Sequence, residues 1–357
     1  MITVAIFNIF VVLFAFLDRY KGMKFGLKGS FFLIFIFLAL RYGFGNDYHE
    51  YLSSFIDINN YYAINYFAKD LFNEAGWLLL CRLFSPFGFF VMVAFLAIFN
   101  CLVFYHFIKK YVPPAYHWFA VFLYVFNPYF MLVHSSAMRQ SIAINIFIYS
   151  IDFIYMKDAI RYYLCIGLAI LFHASAVVLL PVYFFGLFNW KIGKFSAFII
   201  FSAFLSLFGV SKFLLPYLEQ IVSTYFVKYE LYLGPEKIGT GLGIIFNIGV
   251  FLLLLFYLQN QKKDTTLVFK IAIISYFCLP IGLIMMMIGR IDMYFAPATL
   301  AALPIILMSI QNRLLKLTFG VLLIFMTVFS FYIFFKSEIY GEAFSTYRTI
   351  FTAPEIY

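Results

Sequence analysis

The chain has 357 residues, 65% of them hydrophobic and only 11% charged, with a mean hydropathy of +0.97. A soluble domain carries about 25% charged residues, so a soluble globular protein is excluded, and apolar runs such as 31–37 do not alternate as barrel strands must. The formal net charge of +9 does not point to nucleic acid: no basic stretch is interleaved with exposed aromatics, and much of the excess falls in short loops, where Lys and Arg set membrane topology.

The chain therefore reads as all-α, because helices satisfy their own backbone hydrogen bonds in lipid. Apolar spans are expected over 2–17, 29–41, 86–108, 116–134, 139–156, 160–172, 174–189, 195–211, 240–258, 267–289, 293–311 and 317–335, about twelve in all (range 11–14). The first lacks a basic leader and a small-residue cleavage site, so it is expected to be a retained span. Basic residues mark the cytoplasmic loops: Arg19, Lys21, Lys24 and Lys28; Lys109 and Lys110; Lys157 and Arg161; Lys191 and Lys194; Lys262 and Lys263; Arg313 and Lys316.

Residues 160–189 carry basic loops at both ends, so they must cross an even number of times. Two short helices turning near His173 satisfy that parity. Each is about 20–24 Å long, short for a full span, which suggests a partly re-entrant hairpin of the kind allowed beside a polar cavity. Loops 42–85 and 212–239 and the tail 336–357 are then extracytoplasmic, and residues 70–84 are expected to form an interfacial helix with Trp77 at headgroup level. No repeat or linker stands out, so one domain is expected over 1–357.

The unusual residues gather on that outer side. Arg41 and Asp47 flank Gly43 and Gly45, which permit a tight turn. Arg139, followed by Gln140, opens a span from outside, where helix N–H groups and a guanidinium both favour anions. His173 sits at the hairpin apex. Arg290 and Asp292 are expected in a short loop between two spans, and Gly241 and Gly243 open another. Each has a structural alternative: snorkelling for the arginines, a packed role for His173, mutual pairing of Arg290 with Asp292, and close helix packing for the glycines. Asn100, Asn145, Asn247 and Ser275 fall within spans and are expected to bond between helices. The four cysteines lack CxxC spacing, so packed thiols are expected rather than metal or disulfide chemistry.

Taken in order, Arg41-x-Gly-x-Gly-x-Asp47-Tyr48-x-x-Tyr51, Met138-Arg139-Gln140-x-Ile142-Ala143, His173-x-Ser175-Ala176, Gly241-x-Gly243 and Arg290-x-x-x-Tyr294 resemble the EpsG-like branch of bacterial Wzy-type polysaccharide polymerases. The resemblance implies a GT-C-like membrane glycosyltransferase in the bacterial inner membrane, with its active site facing the periplasm or exterior. It implies transfer of a growing glycan from undecaprenyl pyrophosphate to the non-reducing end of a lipid-linked repeat unit, in O-antigen, lipopolysaccharide, capsule or exopolysaccharide synthesis. Neither cofactor nor metal is expected. The expected partners are the two lipid-linked oligosaccharides, membrane lipid and a chain-length regulator, with no nucleic acid.

A lipid pyrophosphate leaving group calls for cations, a role assigned to Arg139 and Arg290 with Arg41 next. Asp47 is the first candidate for general base and His173 the second, although Asp47 serves equally well to orient Arg41. Tyr48, Tyr51 and Tyr294 are expected to stack on sugars, and Gln140, Gly241 and Gly243 to line the substrate. A lipid-linked oligosaccharide flippase, an O-antigen ligase and a non-catalytic scaffold are the rival functions. A flippase calls for a polar path through the whole bilayer, whereas the polar residues here cluster at one side.

Overall fold

The structure is a computed structural model that describes residues 1–19, 25–60, 75–187, 194–225, 241–258, 263–282 and 286–352. Lys21, Lys24, Asp70, Glu74, Lys191 and Lys262, and the part of the expected outer loop at 226–239, lie outside the described residues. Described in chain order, the helices begin with α1 (Ile2–Leu17), α2 (Gly26–Ala39), α3 (Tyr48–Asn60), α4 (Ala75–Phe84) and α5 (Phe89–Tyr111). They continue with α6 (His117–Phe126), α7 (Tyr129–Ser136), α8 (Met138–Tyr155), α9 (Ala159–Phe172) and α10 (Val182–Leu187). The remainder are α11 (Lys194–Tyr225), α12 (Gly241–Leu258), α13 (Lys263–Gly282), α14 (Met286–Phe295), α15 (Thr299–Ser309) and α16 (Arg313–Lys336). The described strands are β1 (Arg41–Tyr42) and β2 (Arg348–Thr349), an antiparallel pair. The chain divides into two compact units, residues 1–183 with 310–357, and residues 184–309.

Among the described residues three helices are long and apolar enough to cross a membrane alone: Phe89–Tyr111, Gly289–Ser309 and Arg313–Lys336. A bent pair supplies a fourth candidate, and eight shorter apolar helices accompany them. Helix α5, with 23 residues, is about 35 Å long, enough for a hydrocarbon core of about 30 Å. Little of α16 is buried within the protein. Its outward face carries Leu314, Leu317, Val321, Phe325 and Tyr332, an apolar surface that water would not tolerate and lipid does.

In the first unit, polar side chains tie the helices together where lipid offers no partner. Asn8 on α1 donates to Val125 O on α6 at 2.7 Å, and Ser30 on α2 donates to Val11 O at 2.8 Å. Both Asp18 carboxylate oxygens accept from the first turn of α2, at Gly26 N and Leu27 N, meeting orphan N–H groups. At one end of the unit Lys110 pairs with Asp152 at 2.7 Å, and Tyr111 also donates to that carboxylate. These groups lie where the basic residues predict the cytoplasmic rim.

The expected span 116–134 is broken. Pro128 has no N–H and disfavours the helical conformation at the residue before it. Asn127 accordingly turns extended (ψ 108°), its Oδ1 accepts from Tyr129 N at 3.1 Å, and the two limbs bend by 65°. The second limb includes a π-helical turn, Tyr129–Val133.

The hairpin demanded by charge parity is present. Helix α9 stops at His173, whose backbone is extended (φ −154°, ψ 115°), and a 3-10 turn, Ala174–Leu179, leads back. Tyr162 near the start of α9 donates to Leu179 O at 2.6 Å, so the return limb lies against the outgoing one.

In the second unit Phe204 of α11 stacks on Phe251 of α12 at 4.2 Å, and α13 packs against α12, α14 and α15. Two expectations are corrected here. Helix α11 runs on to Tyr225, past the expected end at 211, with Pro216 inside it. Arg290 and Asp292 lie within α14, not in a loop. After Gly289 no Gly, Pro or Asn interrupts the chain up to Phe295, so two charges in an apolar run mimic a loop without the residues that make one. The stretch Gly289–Ser309 is buried over most of its length from Tyr294 on and forms a core span of this unit.

Candidate functional site

The segment between α2 and α3 builds the site in the first unit. Helix α2 ends at Ala39 and is capped by Leu40, and Arg41 and Tyr42 pair with Thr349 and Arg348. The chain then turns through Gly43 at φ +60° and Gly45 at φ +126°, conformations that favour glycine. Gly45 N donates to Ala343 O at 3.2 Å, and Asn46 Nδ2 donates to Ile339 O at 3.0 Å. The C-terminal segment therefore straps this turn from above. Phe344 is fully buried and meets Phe44 edge-on at 5.0 Å. Tyr347 stacks on Phe37 at 4.3 Å and donates to Phe37 O at 2.7 Å.

From below, the same turn docks on residues 134–139. Arg41 Nη2 donates to Ser135 O at 2.7 Å and Nη1 to Leu38 O at 2.7 Å. Asp47 N donates to Ser136 Oγ at 3.2 Å. Gly45 has no room for a side chain, because a Cβ there would stand 2.9 Å from both Ser136 Cβ and Oγ. Arg41 is only 3% exposed. It is held by backbone carbonyls and by the Tyr48 ring, 6.0 Å from its guanidinium carbon, while the Tyr48 hydroxyl donates back to Arg41 O at 3.1 Å.

Arg139 is the second residue of α8, as expected of a residue opening a span. Its guanidinium lies 5.2 Å over the Tyr51 ring, and its Nε donates to the Tyr51 hydroxyl at 3.4 Å. Asp47 and Arg139 both act on Tyr51 electrostatically, with burial raising the phenol's pKa, Arg139 opposing and Asp47 reinforcing. Arg139 and Asp47 are half-buried, and Gln140 is buried beside Arg139. Tyr51 in turn packs on Trp77 at 4.9 Å. Trp77 is thus buried against Tyr51.

His173 is half-buried at the hairpin apex. The apex lies against α4, where a Cβ on Gly76 would stand 3.0 Å from Leu171 O. Trp77, the next residue, reaches Tyr51, so His173, Arg139, Asp47 and Arg41 all belong to one contiguous part of the first unit. The expected sugar-stacking role of the tyrosines meets a different geometry. Tyr48 is 0% exposed and Tyr51 6%, and their faces are occupied by the arginines and by neighbouring rings.

In the second unit Arg290 is exposed and Asp292 half-buried on α14, with Tyr294 buried. Gly241 opens α12. A Cβ on Gly243 would meet nothing within 4 Å, so close helix packing does not explain that glycine.

Several structural features escape a reading of the sequence alone. Lys270 is 6% exposed within α13 and donates to Phe185 O at 2.8 Å; a basic residue inside an apolar span was the available signal. Ser136 and the strap residues Phe344 and Tyr347 carry no motif, although the spacing of Tyr340, Phe344 and Tyr347 in a largely polar tail hints at a docked face. Among the described residues no three His, Cys, Asp or Glu side chains come together as a metal site would need.

The model of the EpsG family matches residues 29–349. No curated protein and no solved structure matches the chain.

Proposed function

Because the chain belongs to the EpsG family of Wzy-like polysaccharide polymerases, we propose that it joins lipid-linked repeat units at the outer face of the bacterial inner membrane. The acceptor hydroxyl at the non-reducing end of one repeat unit attacks the anomeric carbon of the growing glycan. A new glycosidic C–O bond forms, the C–O bond to pyrophosphate breaks, and undecaprenyl pyrophosphate leaves. Arg139 stabilises the charge that develops on the leaving group, and Asp47 accepts the hydroxyl proton. His173 is the alternative acceptor. A GT-C-like bundle of about twelve crossings and apolar grooves for the polyprenyl chains complete this picture.

One observation supports the proposal most. The Arg41–Asp47 turn and the end of α7 are 94 and 89 residues apart through their two direct contacts, yet they are locked together just before Arg139 and set Asp47 and Arg139 around one tyrosine. A glycine without room for a side chain, a strapped turn and a buried arginine give a rigid frame, which a transition-state clamp requires. Tyr48 and Tyr51 act in this picture as supports of the arginines, and any sugar contact they make follows a local rearrangement.

The test is purified protein in lipid nanodiscs with a synthetic undecaprenyl-pyrophosphate-linked repeat unit. A ladder of products spaced by one repeat unit is expected. Translocation without new glycosidic bonds would instead assign a flippase. Transfer to lipid A core without a ladder would assign a ligase.

A further inference from the structure

Helix α4 takes no part in the chemistry described so far, yet it lies close to Arg139. It packs on α3, α5 and α9. Gly76 lets it approach the hairpin apex, since a Cβ there would stand 3.0 Å from Leu171 O and 3.2 Å from Phe172 Cδ2. Trp77, the next residue, packs its ring on Tyr51 at 4.9 Å, with the two planes 58° apart. Cys81, one helical turn further along the same face, is buried and within electrostatic reach of Arg139.

Tyr51 holds Arg139 by both side chain and main chain. Its ring lies under the guanidinium at 5.2 Å, and its hydroxyl accepts from Arg139 Nε at 3.4 Å. The main-chain N–H of Arg139 acts on the same hydroxyl. That N–H belongs to the first turn of α8, where a helix leaves its donors without internal partners, and Ala137 at the N-cap provides no side-chain cap. The direction of the long Arg139 side chain thus depends on where the Tyr51 ring stands, and Trp77 packs on that ring. The indole N–H of Trp77 is buried with no hydrogen-bond partner among the described residues, although a buried tryptophan N–H usually finds one. Hydrogen bonding therefore does not account for a tryptophan at this position; the contact of its ring does.

We propose that Trp77 is a positioning residue: by packing on Tyr51 it fixes the phenol ring that carries Arg139, and so sets the direction of the guanidinium. Its effect on rate rests on the reading of Arg139 as the cation for the lipid pyrophosphate. Its hold on Arg139 does not.

Phenylglyoxal, which modifies accessible guanidinium groups, tests that hold on the intact protein in nanodiscs, with each site quantified by mass spectrometry. Exposed Arg348 is the reactive reference, and buried Arg41 reports any general loosening. Trp77→Leu keeps an apolar side chain without a ring, and Trp77→Met, more adaptable in shape, replaces it if that variant does not fold. Either should speed modification of Arg139 about fivefold, as expected when a cation loses its seat on an aromatic ring, while Arg41 stays protected. Trp77→Phe keeps a ring and should leave Arg139 as it is in the wild type. In the polymerisation assay Trp77→Leu should lower kcat about fivefold in the wild type but less than about twofold in an Arg139→Lys background, because residues that act through one group are not additive. Trp77→Phe should restore the rate. Unchanged modification of Arg139 in Trp77→Leu, a parallel rise at Arg41, the same release in Trp77→Phe, or losses of kcat that multiply in the double variant would each overturn the proposal. Release of Arg139 alone in Trp77→Leu, with a wild type that makes no ladder of products, would keep Trp77 as the support of Arg139 and remove the polymerase reading.

Discussion

Replacing Gly45 with alanine probes the joint between the Arg41–Asp47 turn and the end of α7. Gly45 has φ +126°, and a non-glycine residue there is strained by about 1–3 kcal/mol. The added methyl would stand 2.9 Å from both Cβ and Oγ of Ser136 and 3.3 Å from its Cα. Ser136 is 4% exposed and its neighbour Ser135 binds Arg41, so it cannot swing aside, and the overlap adds about 1–3 kcal/mol. The turn relieves the sum of about 2–6 kcal/mol by lifting off, which breaks the Asp47 N to Ser136 Oγ bond and misplaces Asp47. A shift of about 1 Å at a catalytic group costs roughly 10²-fold in rate, so polymer formed per molecule of protein should fall by about that factor. Gly88→Ala is the matched control, with φ +85° and nothing within 4 Å of the added methyl. It carries the backbone strain but not the collision and should leave activity near wild type. Adding Ser136→Gly to Gly45→Ala should restore part of the rate. Full activity in Gly45→Ala at equal protein level, or equal loss in Gly88→Ala, would refute the reasoning.

Three further outcomes follow from the same geometry. Arg139→Lys keeps the charge but loses the planar contact over Tyr51 and should reduce kcat several-fold, whereas Arg139→Gln removes the cation and should reduce it about 10²–10³-fold; steady-state kinetics with the lipid-linked unit distinguishes the two. Phe344→Ala empties a fully buried position, a change of about 3–5 kcal/mol that should release the strap, expose residues 337–352 to limited proteolysis and lower activity at least tenfold. Burial raises the Tyr48 and Tyr347 pKa values from 10.0 to about 12, with Arg41 opposing in both. The sign follows from linkage: the folded state holds these protons more tightly, so their contribution is complete below pH 10 and is lost as pH rises towards 12. Thermal unfolding against pH should thus be flat for this cluster from about pH 6 to 9 and fall above pH 10, with a shallower fall in Tyr347→Phe.

Much of the architecture can be read from the residues because lipid makes strong demands. Charge parity alone requires the turn at His173, since Lys and Arg on both flanks of 160–189 leave no odd number of crossings. Arg139 at the start of a helix and the positive φ at Gly43 and Gly45 are likewise local facts with local signals. The misplacements come from tertiary causes or from a signal given too little weight. The Asn127-Pro128 break was visible as an X-Pro pair inside an apolar run. Arg290 and Asp292 look like a loop because two charges interrupt an apolar run, yet one helix carries both, with Arg290 exposed on it. The burial of Arg41 follows from Ser135, nearly a hundred positions away, and the strap follows from packing of Phe344 on Phe44, contacts that no local pattern announces.

The most direct measurement of the central claim is stoichiometry. Purified protein given a radiolabelled lipid-linked repeat unit should release one undecaprenyl pyrophosphate for every glycosidic bond formed, with both losing rate together in Arg139→Gln. Bond formation without release of the lipid pyrophosphate, or a product ladder unchanged by Arg139→Gln, would contradict it.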